Sequence, residues 1–141
     1  MEWLQAAVDY GIIGLLIVLS AVAVAVGIER YRYLKECDAG AFKNKKDLEL
    51  ALTRKMHFIA TIGSNAPYIG LLGTVLGIMQ TFYVMGRDGM MDTGKIMTGL
   101  ALALKATAVG LLVAIPAITM YNLLMRKARE IMLEWESRHG G

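Results

Sequence analysis

The stretch GLALALKATAVGLLVAIP at 99–116 leaves a chain few ways to fold. It is apolar enough for the interior of a bilayer, and small residues recur along it at helical spacing. On a 3.6-residue helix Gly99, Ala103, Ala106, Gly110 and Ala114 share one narrow stripe. In water such a stripe gains little. In lipid, small residues let helix backbones approach closely, so the stripe reads as a packing seam, expected to join copies of the chain into a homo-oligomer. The same stretch contains one charge, Lys105. An ionisable side chain near the bilayer centre costs at least ~2.5–3.5 kcal/mol, and most such residues face a partner or a water-filled cavity.

The rest of the chain follows from this. Its 141 residues suit one small domain, 1–141, and 56% of them are hydrophobic against 19% charged. Three runs, near 11–28, 58–85 and 96–125, are long enough to cross a bilayer. Backbone groups in lipid must be satisfied within the segment, and these runs lack strand alternation. The fold class is therefore an all-α membrane protein with three transmembrane helices, a polar loop at 29–57 and a polar tail at 126–141. The net charge of +3 does not point to nucleic acid, because the basic residues lie at span edges rather than in one patch. A single cysteine, Cys37, excludes an internal disulfide and sits in a charged loop as an inert thiol.

The first ten residues carry Glu2 and Asp9, no Lys or Arg, and Trp3 and Tyr10 as interfacial aromatics. The run at 11–28 lacks the basic start and cleavage site of a signal peptide and ends in ERYRYLK, so a retained first span is expected. Between 29 and 55 stand eight Lys or Arg against five Asp or Glu, which places this segment in the cytoplasm and the amino terminus outside. Four basic residues in the tail agree. The segment FKNKKDLELALTRKMHFIATIGSNAP reads as mostly helix, leading into the second span without a full break, and the tail as an amphipathic helical extension. In the second span Gly63, Pro67, Gly70, Thr74 and Thr81 share a face, and Pro67 is expected to kink the helix. That face is either a small-residue packing surface with back-bonded threonines or the lining of a hydrated path. Asp92 or Thr93 suits the N-cap of the third helix.

Nothing in the sequence supports catalysis, a cofactor or a metal site. His57 and His139 have no nucleophile or ligand spacing beside them. GLLGTVLG lacks the lysine of a phosphate loop, and the ten methionines fill apolar helices.

Two segments, IATIGSNAPYIGLLGTVLGIMQTF at 59–82 and GLALALKATAVGLLVAIPAITMYNLL at 99–124, carry APxxGLxGTVxGI and ATAxGLxxAIPAxxxYN in order on consecutive spans. In these the chain resembles the MotA/TolQ/ExbB family of proton-channel subunits, most like its ExbB members, with TolQ next. The resemblance covers about half the chain. It implies an inner-membrane homo-pentamer whose second and third helices ring a pore. That pore would hold an ExbD-like single-span partner bearing a transmembrane aspartate, and the complex would draw on the proton gradient to drive a TonB-like protein. A TolQ-like envelope motor and a non-conducting scaffold are the alternatives.

Carried over by position, the pore threonines match Thr74 and Thr107, with Thr81 a further candidate, and the motif prolines match Pro67 and Pro116. Gly70, Gly77, Gly99 and Gly110 are the packing candidates. The third-helix glutamate typical of ExbB and TolQ is replaced by Leu102, with Lys105 one turn later, so an acidic proton carrier would have to come from the partner. Lys105 could lie between subunits, face the pore or face lipid. Pairing with the partner's aspartate is the expectation adopted, although Lys105 lies 200° from Thr107 on a helical wheel.

Overall fold

The computed structural model describes residues 2–89 and 92–139, without the side chains of residues 2–5 and of Asp88. Met1, Met90, Met91, Gly140 and Gly141 lie outside the described residues, as do the side chains of Glu2 and Trp3. Four α-helices and one short 3-10 turn make up the described chain: α1 (Glu2–Glu36), the turn Ala39–Ala41, α2 (Lys45–Thr53), α3 (Met56–Asp88) and α4 (Thr93–His139). Three of them, α1, α3 and α4, are long and apolar enough to cross a membrane. α1 and α4 run in the same direction and α3 runs against them.

The small-residue stripe of α4 packs inside the chain, against α3. From one end of this antiparallel pair to the other, Thr81 covers Gly99, Gly77 meets Ala103, Gly70 meets Ala106 and Gly110, and Gly63 meets Ala117 and Ile118. The approach is tightest at Gly70 and Gly110. A β-carbon on Gly110 would stand 2.7 Å from the carbonyl oxygen of Ala66, and one on Gly70 would stand 2.6 Å from that of Ala106. Both obstacles are backbone, which cannot swing aside. The expectation that this stripe joins copies of the chain is thus corrected. Small residues recur at helical spacing on both helices, so the two stripes close on each other. α1 lies across this pair, with Ile12 over Gly73 and Gly27 against Met120.

At the opposite end from the α3–α4 turn the packing becomes bulkier. Leu34 of α1, Leu48 and Leu52 of α2, Met56 and Ile59 of α3, and Leu124, Ala128 and Trp135 of α4 form one buried cluster. This end carries most of the charge and is called the basic end below. Asn44 caps α2, its side chain accepting from the Asp47 amide at 2.8 Å while its own amide donates to the Asp47 carboxylate. Trp135 donates its indole N–H to the Phe42 carbonyl at 3.1 Å, and Lys45 forms an ion pair with Glu136. That carboxylate holds the Lys45 ammonium above its ordinary pKa. Burial, reinforced by Asp38, pushes the Cys37 thiol up, although Arg30 and a Tyr33 hydrogen bond pull it down. Less thiolate forms, which agrees with an unreactive cysteine.

α2 and α3 are not continuous. Arg54 leaves the helix and Lys55 adopts φ 65°, which turns the chain into α3. No composition signal marks this break, because glycine rather than lysine is the usual residue at positive φ. The corner is held from α1. Arg30, 3% exposed, donates to the carbonyls of Ala51 and Leu52 in the last turn of α2, and its guanidinium lies 4.4 Å from the Tyr33 ring centroid. Glu29 accepts from the Lys55 ammonium at 3.2 Å. Two substitutions isolate the cost of the backbone. Lys55→Gly and Lys55→Val both remove the exposed ion pair, yet only valine is strained at positive φ. The valine variant should be less stable than the glycine variant by about 1–2 kcal/mol in thermal unfolding.

α3 runs through Pro67 as one helix and α4 through Pro116, so the carbonyls of Gly63 and Leu112 lose their usual amide donors. α3 ends on Gly89 at φ 66°, whose N–H donates to Met85. Asp92 fills the N-cap expected ahead of α4, its carboxylate accepting from the Gly94 amide at 3.0 Å.

Candidate functional site: two threonines in the α3–α4 seam

Because Gly70, Ala106 and Gly110 bring the backbones together, a hydroxyl on one helix can reach a carbonyl on the other. Thr74 does so. It is 6% exposed, and its hydroxyl donates to the Ala103 carbonyl at 2.9 Å and touches the Thr107 hydroxyl. A hydroxyl has one proton to give. With the Thr74 proton on Ala103, Thr107 is the donor between the two threonines. Ala103 is also the residue four before Thr107, whose carbonyl a helical threonine normally takes. Thr74 occupies that carbonyl and keeps the Thr107 hydroxyl from folding back onto its own helix. Thr107 is half-buried, so its remaining lone pairs lie at the open edge of the seam.

The other candidates lie apart from this pair. Thr81 donates to Gly77 of its own helix at 2.9 Å and packs over Gly99. Lys105 is exposed, with no acidic partner among the described residues. It shares a 60° arc with Val109, Leu112 and Pro116, which line the flank that α4 turns toward α1. Thr107 shares the opposite arc with Leu111, Ala114 and Ile118, the edge that meets Gly63 of α3. Leu102 is exposed. No acid occurs in α3 before Asp88 or in α4 before Glu130. No group of three or more His, Cys, Asp or Glu able to hold a metal ion occurs among the described residues.

The role of Arg30 escapes a sequence reading. In ERYRYLK it looks like one more solvated charge, and only its position one heptad after Ala23 and two after Leu16 hints that it faces inward.

The two motif segments carry the seam and its threonines, and comparison with known proteins extends the likeness beyond them. The model of the MotA/TolQ/ExbB proton channel family matches residues 35–137. The biopolymer transport protein ExbB of Aquifex aeolicus is 56% identical over 140 residues, 99% of this chain and 95% of that protein. A putative ExbB-like protein 2 of Helicobacter pylori is 54% identical over 94% of this chain and 88% of its own length. The Tol-Pal system protein TolQ of Pseudomonas aeruginosa is 45% identical over 52% of this chain and 32% of its own length. With three apolar helices long enough to span, a threonine pair at the motif positions and a match over most of its length, this chain is a multi-pass membrane protein of the MotA/TolQ/ExbB proton channel family.

Proposed function

We propose that the chain is the ExbB-like wall of a proton-driven motor in the bacterial inner membrane. It assembles as a homo-pentamer with the amino terminus outside and the basic end in the cytoplasm. α3 and α4 ring the pore, an ExbD-like single-span partner occupies it, and the motor energises a TonB-like protein. Whole-length likeness to ExbB proteins supports the ExbB assignment over a TolQ-like one. The observation that carries the ion path is the Thr74–Thr107 pair. Two hydroxyls and one carbonyl form a polar rung that bridges α3 and α4. Since α3 and α4 hold no acid at this level, the titrating carboxyl belongs to the partner's span, and Thr107, whose own proton lies on Thr74, accepts a hydrogen bond from it in its protonated form. In this arrangement Thr107 lines the path and Thr74 positions it. Lys105, on the opposite arc of α4, lies outside the path rather than against the partner's aspartate.

Proton flux into vesicles holding this chain with and without the partner, read by a pH-sensitive dye, tests the reading. In Thr74→Val the Ala103 carbonyl is freed, and Thr107 turns back to bond it. Partner-dependent flux should fall at least tenfold while the oligomer measured by native mass spectrometry stays intact. Thr74→Ser should retain flux, and Thr81→Val should leave it unchanged. Wild-type flux in Thr74→Val would reduce the pair to packing. No partner-dependent flux in the wild type would leave a passive scaffold.

A further inference from the structure

Between α1 and α4 at the basic end lies an open groove of about 1210 Å³. It straddles the level at which both helices change character. α1 is uncharged from Tyr10 to Ile28 and charged from Glu29, and α4 is uncharged from Ala106 to Met125 and charged from Arg126. The groove repeats this division. Ile28, Ile115 and Leu123 line its apolar half, and Arg32, Lys35 and Lys127 stand around its charged half.

Lys45, Lys55, Arg126 and Arg138 each have a carboxylate within ion-pair distance. Arg32, Lys35 and Lys127 have none, and the one acid among the lining residues, Glu36, is itself unpaired and leaves the groove with two net positive charges. Lys43, Lys46, Arg54 and Arg129 at this end also lack an ion pair among the described residues, but the groove is where three such cations meet an apolar trough. Three cations beside an apolar trough call for a ligand that is anionic at one end and hydrocarbon at the other.

We propose that this groove binds one anionic phospholipid, its acyl chains along Ile28, Ile115 and Leu123 and its phosphate among Arg32, Lys35 and Lys127. The lipid belongs to the leaflet at the basic end, and its volume is of the order of the groove's. A second copy of the chain fits less well. In a ring every copy presents the same residues at the same level, and a neighbouring α4 would bring Arg126, Lys127 and Arg129 with only Glu130 to offset them, adding net positive charge beside these three cations. Uncompensated basic residues near a membrane surface attract anionic lipid, and basic clefts between spans collect such headgroups.

Native mass spectrometry of the full chain, titrated with phosphatidylglycerol or phosphatidylcholine, tests the site. One phosphatidylglycerol per chain should be retained with at least a tenfold preference over phosphatidylcholine. Arg32→Gln, Lys35→Gln and Lys127→Gln together should abolish that preference. The control replaces Lys43, Lys46 and Arg129 with glutamine, removing the same charge from the same end but away from the groove. It should leave the preference intact. Leu123→Trp fills the trough without altering charge and should also release the lipid, which keeps the test decisive if the triple variant folds poorly. Equal loss in the control, or equal binding of the two lipids by the wild type, would overturn the proposal. So would unchanged phosphatidylglycerol binding in both the triple variant and Leu123→Trp.

Discussion

Gly110→Leu should part α3 from α4 and abolish the cooperative thermal transition of the detergent-solubilised chain. A β-carbon at this position already lies 2.7 Å from the Ala66 carbonyl oxygen and 3.0 Å from the Gly70 α-carbon. Gly110→Ala alone should cost about 1–3 kcal/mol, the usual range for overpacking, and leucine exceeds it because neither backbone can yield. Gly11→Ala gives the contrast. It adds a methyl where nothing stands within 4 Å, and should raise stability by about 0.5–1 kcal/mol through helix propensity alone. The Thr74–Thr107 contact depends on the same close approach, so Gly110→Leu should remove partner-dependent flux as well. Equal melting of Gly110→Ala and Gly11→Ala would mean that this seam does not hold the helices together.

The second large effect is expected at Arg30. Its guanidinium caps the two carbonyls of Ala51 and Leu52, while its Nε is buried without an acceptor. Hydrogen bonds from a charged group contribute about 1.5–3 kcal/mol each, and the buried Nε offsets part of that sum. Arg30→Met should therefore destabilise by roughly 3 kcal/mol and leave the last turn of α2 open. Hydrogen exchange should report this as lost protection of α2 with α3 and α4 unchanged. Arg30→Lys should restore protection only in part, because both bonds leave one nitrogen, Nη2, which an ammonium can replace, while the planar group beside the Tyr33 ring is lost. Full protection in Arg30→Met would show that the corner stands on its apolar cluster alone.

Which parts of this molecule can be read from sequence depends on whether the controlling physics is local. The three spans can be, because an apolar run of that length has no other stable solution. The Asp92 cap can be, because the residue acts on its own neighbours. The stripe of Gly99, Ala103, Ala106 and Gly110 is legible as a face that packs, but periodicity does not identify the surface opposite. A second stripe containing Gly63, Gly70 and Gly77 was present on the preceding span, and its complementarity marks the partner as intramolecular. The break at Lys55 is not legible, since the turn is imposed by contacts from Glu29 and Arg30 some twenty-five residues earlier. For the site, the motifs place Thr74 and Thr107 together, while the division of labour between them comes from one carbonyl, Ala103, that no motif includes.

α4 runs for 47 residues with one interruption in its amide ladder, at Pro116. At 1.5 Å per residue it is about 70 Å long, more than twice the thickness of a bilayer's hydrocarbon core. Thr107 and Trp135 lie on either side of Pro116, roughly 40 Å apart along this single rod. Such a rod behaves as a lever with its pivot at the proline. A partner pushing on the wall at Thr107 would be felt at the Trp135 clasp, without any hinge loop between them to absorb the stroke.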